Sequence, residues 1–316
     1  MLLTRRFFLG TAAATAWAAG SKLSQPAGPQ FLIAALTMLD HNGRLDDGLV
    51  RDYLHFLEQG GADGVLVLGT TGEFPSFSVQ ERKQILESYL RHKGNLSVMC
   101  QVGTPNLPET LDLLAHAASA GADSALVLPP FYFKNPSTEG LAHFYDPVLR
   151  ASRLPVLLYN IPQLSGVPIT AELLHRLSSY ERLYGVKDSF NKADVLVERI
   201  REFPALHMLT GVPRNIQADL EAGGAGAITG NGSVFARQTA AVFQAWRRHG
   251  DVHADQQALD TVAAALSGYD GIPAMKFALS RMGLRESACR PPFAELAPEQ
   301  KKELAARLTR AGVLAA

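Results

Sequence analysis

Short, fully apolar runs alternate with longer segments of helical pattern from residue 30 to about residue 250. The runs are Phe31–Leu36, Gly64–Leu68, Leu96–Val102, Ser124–Leu128, Val156–Tyr159, Leu183–Lys187, Leu206–Thr210 and Ala225–Thr229. Between and after them the pattern predicts helices over Asp46–Gln59, Ser78–His92, Leu107–Ala120, Ser137–Ser152, Thr170–Ser179, Lys192–Phe203, Arg214–Ala222 and Val234–Arg248. Ser78 and Thr170 are N-cap types, and Gln59-Gly60-Gly61 and Ala120-Gly121 are helix ends. Gly-Ala-Asp recurs at 61–63 and 121–123, and Gly-Gly-Ala-Gly occupies 223–226, each between a helix and the next apolar run. Strands that are apolar throughout, alternating with helices, belong to a parallel sheet covered on both faces. Eight such units predict a (β/α)8 TIM barrel. A doubly wound open sheet is the competing fold, but no Gly-x-Gly-x-x-Gly follows the first run.

The tail has no strand pattern. It predicts three helices, Asp255–Leu266, Ile272–Met282 and Pro298–Leu314, with Pro291-Pro292 separating the last two. The expected organisation is therefore an N-terminal segment (1–29), the barrel (30–254) and a C-terminal helical extension of the same domain (255–316).

Charge narrows the function. The 316-residue chain carries 30 basic and 30 acidic side chains, a balance that gives no reason to expect nucleic acid or an anionic membrane as partner. No apolar run reaches the ~20 residues of a membrane helix. Cys100 lies in an apolar run and reads as a small core residue. His249 and His253 flank Gly250 in a loop-like stretch, so no metal site is expected. The N-terminus is distinct: Thr4-Arg5-Arg6-Phe7-Phe8-Leu9 precedes an Ala-rich apolar run, with small residues from Ala18 to Gly20. This is the layout of a twin-arginine export signal. It predicts a periplasmic or otherwise exported protein, cytoplasmic only if the signal is unused. A mis-assigned start or an amphipathic tail is the plainer alternative.

The chemistry begins at Lys187, an amine closing the apolar run Leu183-Tyr184-Gly185-Val186. Burial disfavours an ammonium ion, so a lysine at a buried strand end can serve as a neutral nucleophile toward ketones and aldehydes. In such a barrel the active site lies at the C-terminal ends of the strands. Those ends carry Gly69-Thr70-Thr71-Gly72-Glu73, Pro129-Pro130-Phe131-Tyr132, Tyr159-Asn160-Ile161-Pro162, Lys187 and Thr229-Gly230-Asn231-Gly232. Thr70, Thr71 and Gly72 offer hydroxyls and backbone N–H groups suited to a small carboxylate, or simply a strand-to-helix turn. Tyr159 is a core aromatic or, in line with Lys187, a proton shuttle. Tyr132 has the weaker case, because Phe131-Tyr132-Phe133 can be packing alone.

Gly64-Val65-Leu66-Val67-Leu68-Gly69-Thr70-Thr71-Gly72-Glu73-Phe74, with Glu81 beyond it, resembles the first signature of the dihydrodipicolinate synthase / N-acetylneuraminate lyase family. Tyr159-Asn160-Ile161-Pro162-Gln163-Leu164-Ser165-Gly166-Val167, running on to Gly185-Val186-Lys187-Asp188-Ser189, resembles the second. The likeness covers the chain from about residue 30 to Arg290-Pro291-Pro292 and the last helix. It implies a class I aldolase or lyase that joins or splits pyruvate, or another 2-oxo acid, and an aldehyde. Lys187 would form the imine and Tyr159 relay protons. Thr70 and Thr71 would hold the carboxylate, with Thr71 linking Tyr159 to Tyr132 of a neighbouring subunit in a dimer or tetramer. No metal or organic cofactor is implied, because the imine itself is the electron sink.

Two positions depart from family patterns. Leu164 stands where lysine-pathway synthases usually carry a carboxylate-binding arginine. Pro213 and Arg214 replace the two acids with which sialic acid lyases bind sugar hydroxyls. Arg214 is therefore expected to bind an anionic distal group, or else to be a solvated residue of the following helix. The reading is a lyase acting on a 4-hydroxy-2-oxo acid. The alternatives are a dihydrodipicolinate synthase, a deoxy-sugar-acid dehydratase and an exported, non-catalytic 2-oxo acid binding protein.

Overall fold

The computed structural model describes residues 28–315. The segment carrying the expected export signal lies outside them, apart from Gly28 and Pro29. Eight parallel strands close into a barrel in chain order. They are β1 (Gln30–Ala34), β2 (Gly64–Val67), β3 (Ser97–Gln101), β4 (Ser124–Val127), β5 (Val156–Asn160), β6 (Leu183–Asp188), β7 (His207–Thr210) and β8 (Gly226–Thr229). The helices around them are α1 (Asp47–Gln59), α2 (Val79–His92), α3 (Leu107–Ala120), α4 (Thr138–Ala151), α5 (Pro162–Ser165), α6 (Ala171–Leu177), α7 (Ala193–Glu202), α8 (Ile216–Glu221) and α9 (Gly232–Arg247). The tail forms α10 (Val252–Ala263), α11 (Gly271–Arg281) and α12 (Pro298–Arg310). The expected (β/α)8 barrel with a C-terminal helical extension is thus the fold. Among the described residues, no helix is long and apolar enough to cross a membrane.

The strands are apolar because both their faces are covered: β2, β5 and β8 are buried along their whole length. The differences from expectation are local. β1 stops at Ala34 rather than Leu36, because Leu36 N–H donates to the Tyr53 hydroxyl at 3.2 Å and Leu36 C=O accepts from Tyr89. Arg214 does not open a regular helix: Pro213–Asn215 is a 3₁₀ turn that leads into α8. The first tail helix begins at Val252, capped by Asp251, and the last ends at Arg310. Two short elements went unforeseen, a 3₁₀ turn over Phe74–Ser76 and the single turn α5, which starts on Pro162 and ends at Gly166 in the left-handed region.

Adjacent strands are not joined equally. β5 and β6 share five register pairs, from Val156↔Leu183 to Asn160↔Asp188. β7 and β8 share two, Leu209↔Gly226 and Thr210↔Ala227. Beside them the Asp219 carboxylate accepts from Gly226 N–H at 2.9 Å. A side chain from α8 thereby takes part of a strand partner's place.

Candidate active site

β5 and β6 place Tyr159 and Lys187 directly opposite each other in register. The Lys187 amine lies 4.2 Å from the centroid of the Tyr159 ring, and both residues are buried. The next residue pins the strand end. The buried Asp188 carboxylate accepts from Arg199 Nη1 (2.7 Å), Asn160 Nδ2 (3.0 Å) and Phe190 N–H (2.7 Å). Burial pushes the Asp188 carboxyl up from its ordinary range, with Arg199 and these hydrogen bonds pulling against it.

The Tyr159 phenol is governed by opposing effects. Burial alone would raise it. The Lys187 charge, with the Thr70 and Ser189 hydroxyls and the Lys187 amine as hydrogen-bond partners, outweighs burial and holds it below the usual tyrosine value. A phenol so placed can give up and recover a proton beside the amine.

The Gly69–Glu73 loop that presents Thr70 and Thr71 is braced at both ends. Leu68 and Glu73 both sit in the left-handed region, with φ of 61° and 57°, at a cost of about 1–2 kcal/mol each for residues with a Cβ. Long-range contacts offset that strain. The Glu73 carboxylate pairs with Lys276 Nζ of α11 at 2.6 Å and accepts from Arg290 N–H at 2.8 Å, with both charged side chains almost wholly buried. Arg290 in turn reaches Glu81 at 2.6 Å, Gly43 C=O at 2.9 Å and Ser76 C=O at 2.9 Å. Gly72 is where the loop folds back on the barrel. A Cβ there would lie about 3.0 Å from Ala35 C=O and 3.1 Å from the Leu68 backbone, and Gly72 C=O accepts from Thr37 Oγ1 at 2.6 Å.

These elements converge on a cavity of about 340 Å³ at the C-terminal mouth, lined among others by Thr70, Thr71, Tyr159, Lys187, Ser189, Gln163, Asn191, Gly211 and Gly230. The structure therefore brings together Lys187, Tyr159, Thr70 and Thr71. Within the single chain the other expected residues lie off the cavity wall, Tyr132 being expected to serve a neighbouring subunit. Tyr132 is 74% exposed and Leu164 60% exposed, both outside the cavity lining. Arg214 is exposed and donates from Nε to Asn191 Oδ1 at 3.0 Å, so it stands behind Asn191 instead of on the cavity wall. Gly72 packs against backbone, and Thr229 is fully buried with its hydroxyl unpartnered, also off the wall. Thr70 and Thr71 both line the cavity beside Tyr159.

Ser189, Gln163, Asn191 and Gly211 were not singled out. The signal for Ser189 was its place two residues after Lys187. Gly211 has a steric one: a Cβ there would fall 2.0 Å from Ser189 Oγ and 3.3 Å from Lys187 Cε. Among the described residues, no three His, Cys, Asp or Glu side chains gather in a way that could hold a metal.

A buried amine, an acidified phenol and a hydroxyl-rich loop at the mouth of a TM-type (β/α)8 barrel define a carbonyl-processing enzyme. The comparisons name its kind. Residues 29–311 match the dihydrodipicolinate synthetase family. An uncharacterised DapA-like lyase from Chloroflexus aurantiacus is 40% identical, covering 85% of this chain and 91% of its own. A 4-hydroxy-tetrahydrodipicolinate synthase from Gluconacetobacter diazotrophicus is 32% identical, covering 90% and 97%. The structure of YagE, a prophage protein of the dihydrodipicolinic acid synthase family from E. coli K12 in complex with pyruvate, superposes with a TM-score of 0.85 at 27% identity, covering 90% and 99%. The chain belongs to the dihydrodipicolinate synthetase family, and is a lyase of the Schiff-base, class I aldolase kind.

Proposed function

We propose that the protein reversibly splits a 4-hydroxy-2-oxo acid into pyruvate and an aldehyde through an imine on Lys187. The observation that carries this reading is the pairing of the buried Lys187 amine with the Tyr159 ring, 4.2 Å apart, in one cavity with Thr70 and Thr71. The amine attacks the ketone carbon, and the oxygen leaves as water on a proton from the Tyr159 phenol, which is left as phenolate. The Tyr159 phenolate then takes the proton of the C4 hydroxyl. As the C4–O bond becomes a carbonyl, the C3–C4 bond breaks and its electron pair moves toward the iminium nitrogen as an enamine. The aldehyde departs, C3 is reprotonated, and water returns to C2 to release pyruvate. Thr70 and Thr71, with the loop N–H groups, hold the carboxylate. The Lys187 imine supplies the electron sink, so the scheme needs no metal or organic cofactor.

Pyruvate bound in YagE supports the choice of 2-oxo acid. Exposed Tyr132 and Phe133, packed edge to face at 5.3 Å, support an assembly in which a second copy covers them. Arg5-Arg6 and the apolar run after them support export, and hence work on an external oxo acid. A synthase acting on aspartate semialdehyde is the less supported reading, because Leu164 offers no cation and lies off the cavity wall.

The test is intact-protein mass spectrometry after pyruvate and borohydride, with peptide mapping. A reduced adduct on Lys187, absent in Lys187→Ala, is the expected result. Folded protein that binds pyruvate without an adduct would point to a binding protein and overturn the reading.

A further inference from the structure

We infer that Arg199 of α7 is a positioning residue for imine formation: through Asp188 and Asn160 it clamps the outer side of the β5–β6 ladder and so fixes Lys187 against Tyr159 on the inner side. The inference rests on the imine reading above and deepens it, adding residues that never enter the cavity.

Tyr159↔Lys187 and Asn160↔Asp188 are successive rungs of one pair of strands. Side chains alternate across a strand. With Tyr159 and Lys187 lining the cavity, Asn160 and Asp188 belong to the other face of the wall, and neither lines the cavity. There one Asp188 oxygen accepts from both Arg199 Nη1 (2.7 Å) and Asn160 Nδ2 (3.0 Å), while the other accepts from Phe190 N–H (2.7 Å). The far end of Asn160 is held as well, its Oδ1 accepting from Ile169 N–H at 3.0 Å. Backbone bonds carry the clamp through to the cavity. Ser189 N–H donates to Asn160 C=O at 2.8 Å and Gly211 N–H to Asp188 C=O at 2.6 Å, and Ser189 and Gly211 both line the cavity.

Among the described residues, Arg199 is the one cation paired with Asp188, whose side chain is 2% exposed. A carboxylate left unpaired in such a wall is relieved by taking up a proton or admitting water. Either change weakens its hold on Asn160 Nδ2 and frees the adjoining rung, the one that carries Tyr159 and Lys187. A misplacement of about 1 Å at reacting groups costs up to about 10²-fold in rate. Imine formation needs the Tyr159 proton to reach the departing oxygen, so the loss falls on that step.

The test uses full-length protein and saturating pyruvate, with borohydride quenching at successive times and mass spectrometry of the Lys187 adduct. The final extent of labelling counts competent sites, and the rate constant reads their geometry. Arg199→Met should reach the wild-type extent at a rate lowered about tenfold or more. Arg199 meets the carboxylate through one nitrogen, a contact that a lysine ammonium can replace. Arg199→Lys should therefore return the rate to within about threefold of wild type. If the stranded charge unfolds Arg199→Met, adding Asp188→Asn removes that charge, and the double variant should label fully and stay slow. In the Tyr159→Phe background Arg199→Met should cost no more than about twofold, because both changes remove the same geometry. A purely structural Arg199 would lower the extent and leave the rate constant untouched, which would overturn the inference. So would a wild-type rate in the double variant, or a full tenfold loss in the Tyr159→Phe background. Absence of any adduct in the wild type would instead bring down the imine reading and this inference with it.

Discussion

Replacing Lys276 with methionine should cost far more than one surface lysine ever does. The side chain leaves behind a Glu73 carboxylate with no exposure and only Arg290 N–H for company. Breaking a buried ion pair by removing one partner typically costs about 3–5 kcal/mol. Ala288 C=O, which accepts from Lys276 Nζ at 2.5 Å, is orphaned as well, adding about 1 kcal/mol. The sum of about 4–6 kcal/mol corresponds to a drop in melting temperature of roughly 8–12 °C, at about 2 °C per kcal/mol for a large domain. Glu73→Gln in the Lys276→Met background removes the stranded charge yet keeps an acceptor for Arg290, and should recover about 2 kcal/mol. Thermal unfolding followed by circular dichroism, completed as a double-mutant cycle, reads these values. The same variant should raise the KM for pyruvate, because Glu73 closes the loop that carries Thr70 and Thr71. A single-variant loss below about 1 kcal/mol, or a double variant no better than Lys276→Met, would refute the account of the pair as the brace of that loop.

Tyr159→Phe should keep the fold and lower kcat about 10²–10⁴-fold, the range of a lost proton shuttle; a loss under tenfold in steady-state turnover would remove Tyr159 from the proton path. Gly211→Ala should abolish activity with a comparatively small change in melting temperature, since the new methyl meets Ser189 Oγ and Lys187 Cε; turnover near that of the wild type would show that the wall yields. Burial pushes the Asp219 carboxyl well above its ordinary value, against the weaker pull of the Gly226 and Thr210 N–H groups. The folded state therefore keeps this proton after the unfolded chain has released its own near pH ~3.9. Its stabilisation is fully present below that pH and declines as pH rises toward the folded value, by at most about 1.4 kcal/mol per unit. Asp219→Asn should remove that component from a melting-temperature series between pH 4 and 8, and an identical slope in both proteins would contradict it. Tyr132→Ala should shift sedimentation toward smaller species; an unchanged profile would leave Tyr132 without a contact role.

The barrel was legible because its signal is long and redundant. Every strand is a short apolar run, and the closing amine of β6 stands out against Leu183–Val186. Lys187, Tyr159, Thr70 and Thr71 could be grouped because strand ends share one face of such a barrel. What failed to show depends on turns of one or two residues. Arg214 lies behind Asn191 because Pro213 opens a 3₁₀ turn rather than a regular helix. Leu164 points outward because α5 is a single turn. Lys276 was invisible for another reason: its partner is 203 residues away, and a lysine in an amphipathic helix reads as surface.

The uneven joints of the barrel divide its mouth into two mechanical regimes. Tyr159 and Lys187 ride on strands locked by five register pairs, so the geometry of imine chemistry is stiff. The adjoining wall beyond Gly211, from Val212 to Gly230, is carried by β7 and β8, whose ladder is two pairs wide and leans on the Asp219 carboxyl. That side is the compliant one, and it is the side with Val212 and Pro213. Substitutions there can reshape the room for the aldehyde without disturbing the amine, so substrate range can drift while the reaction stays fixed.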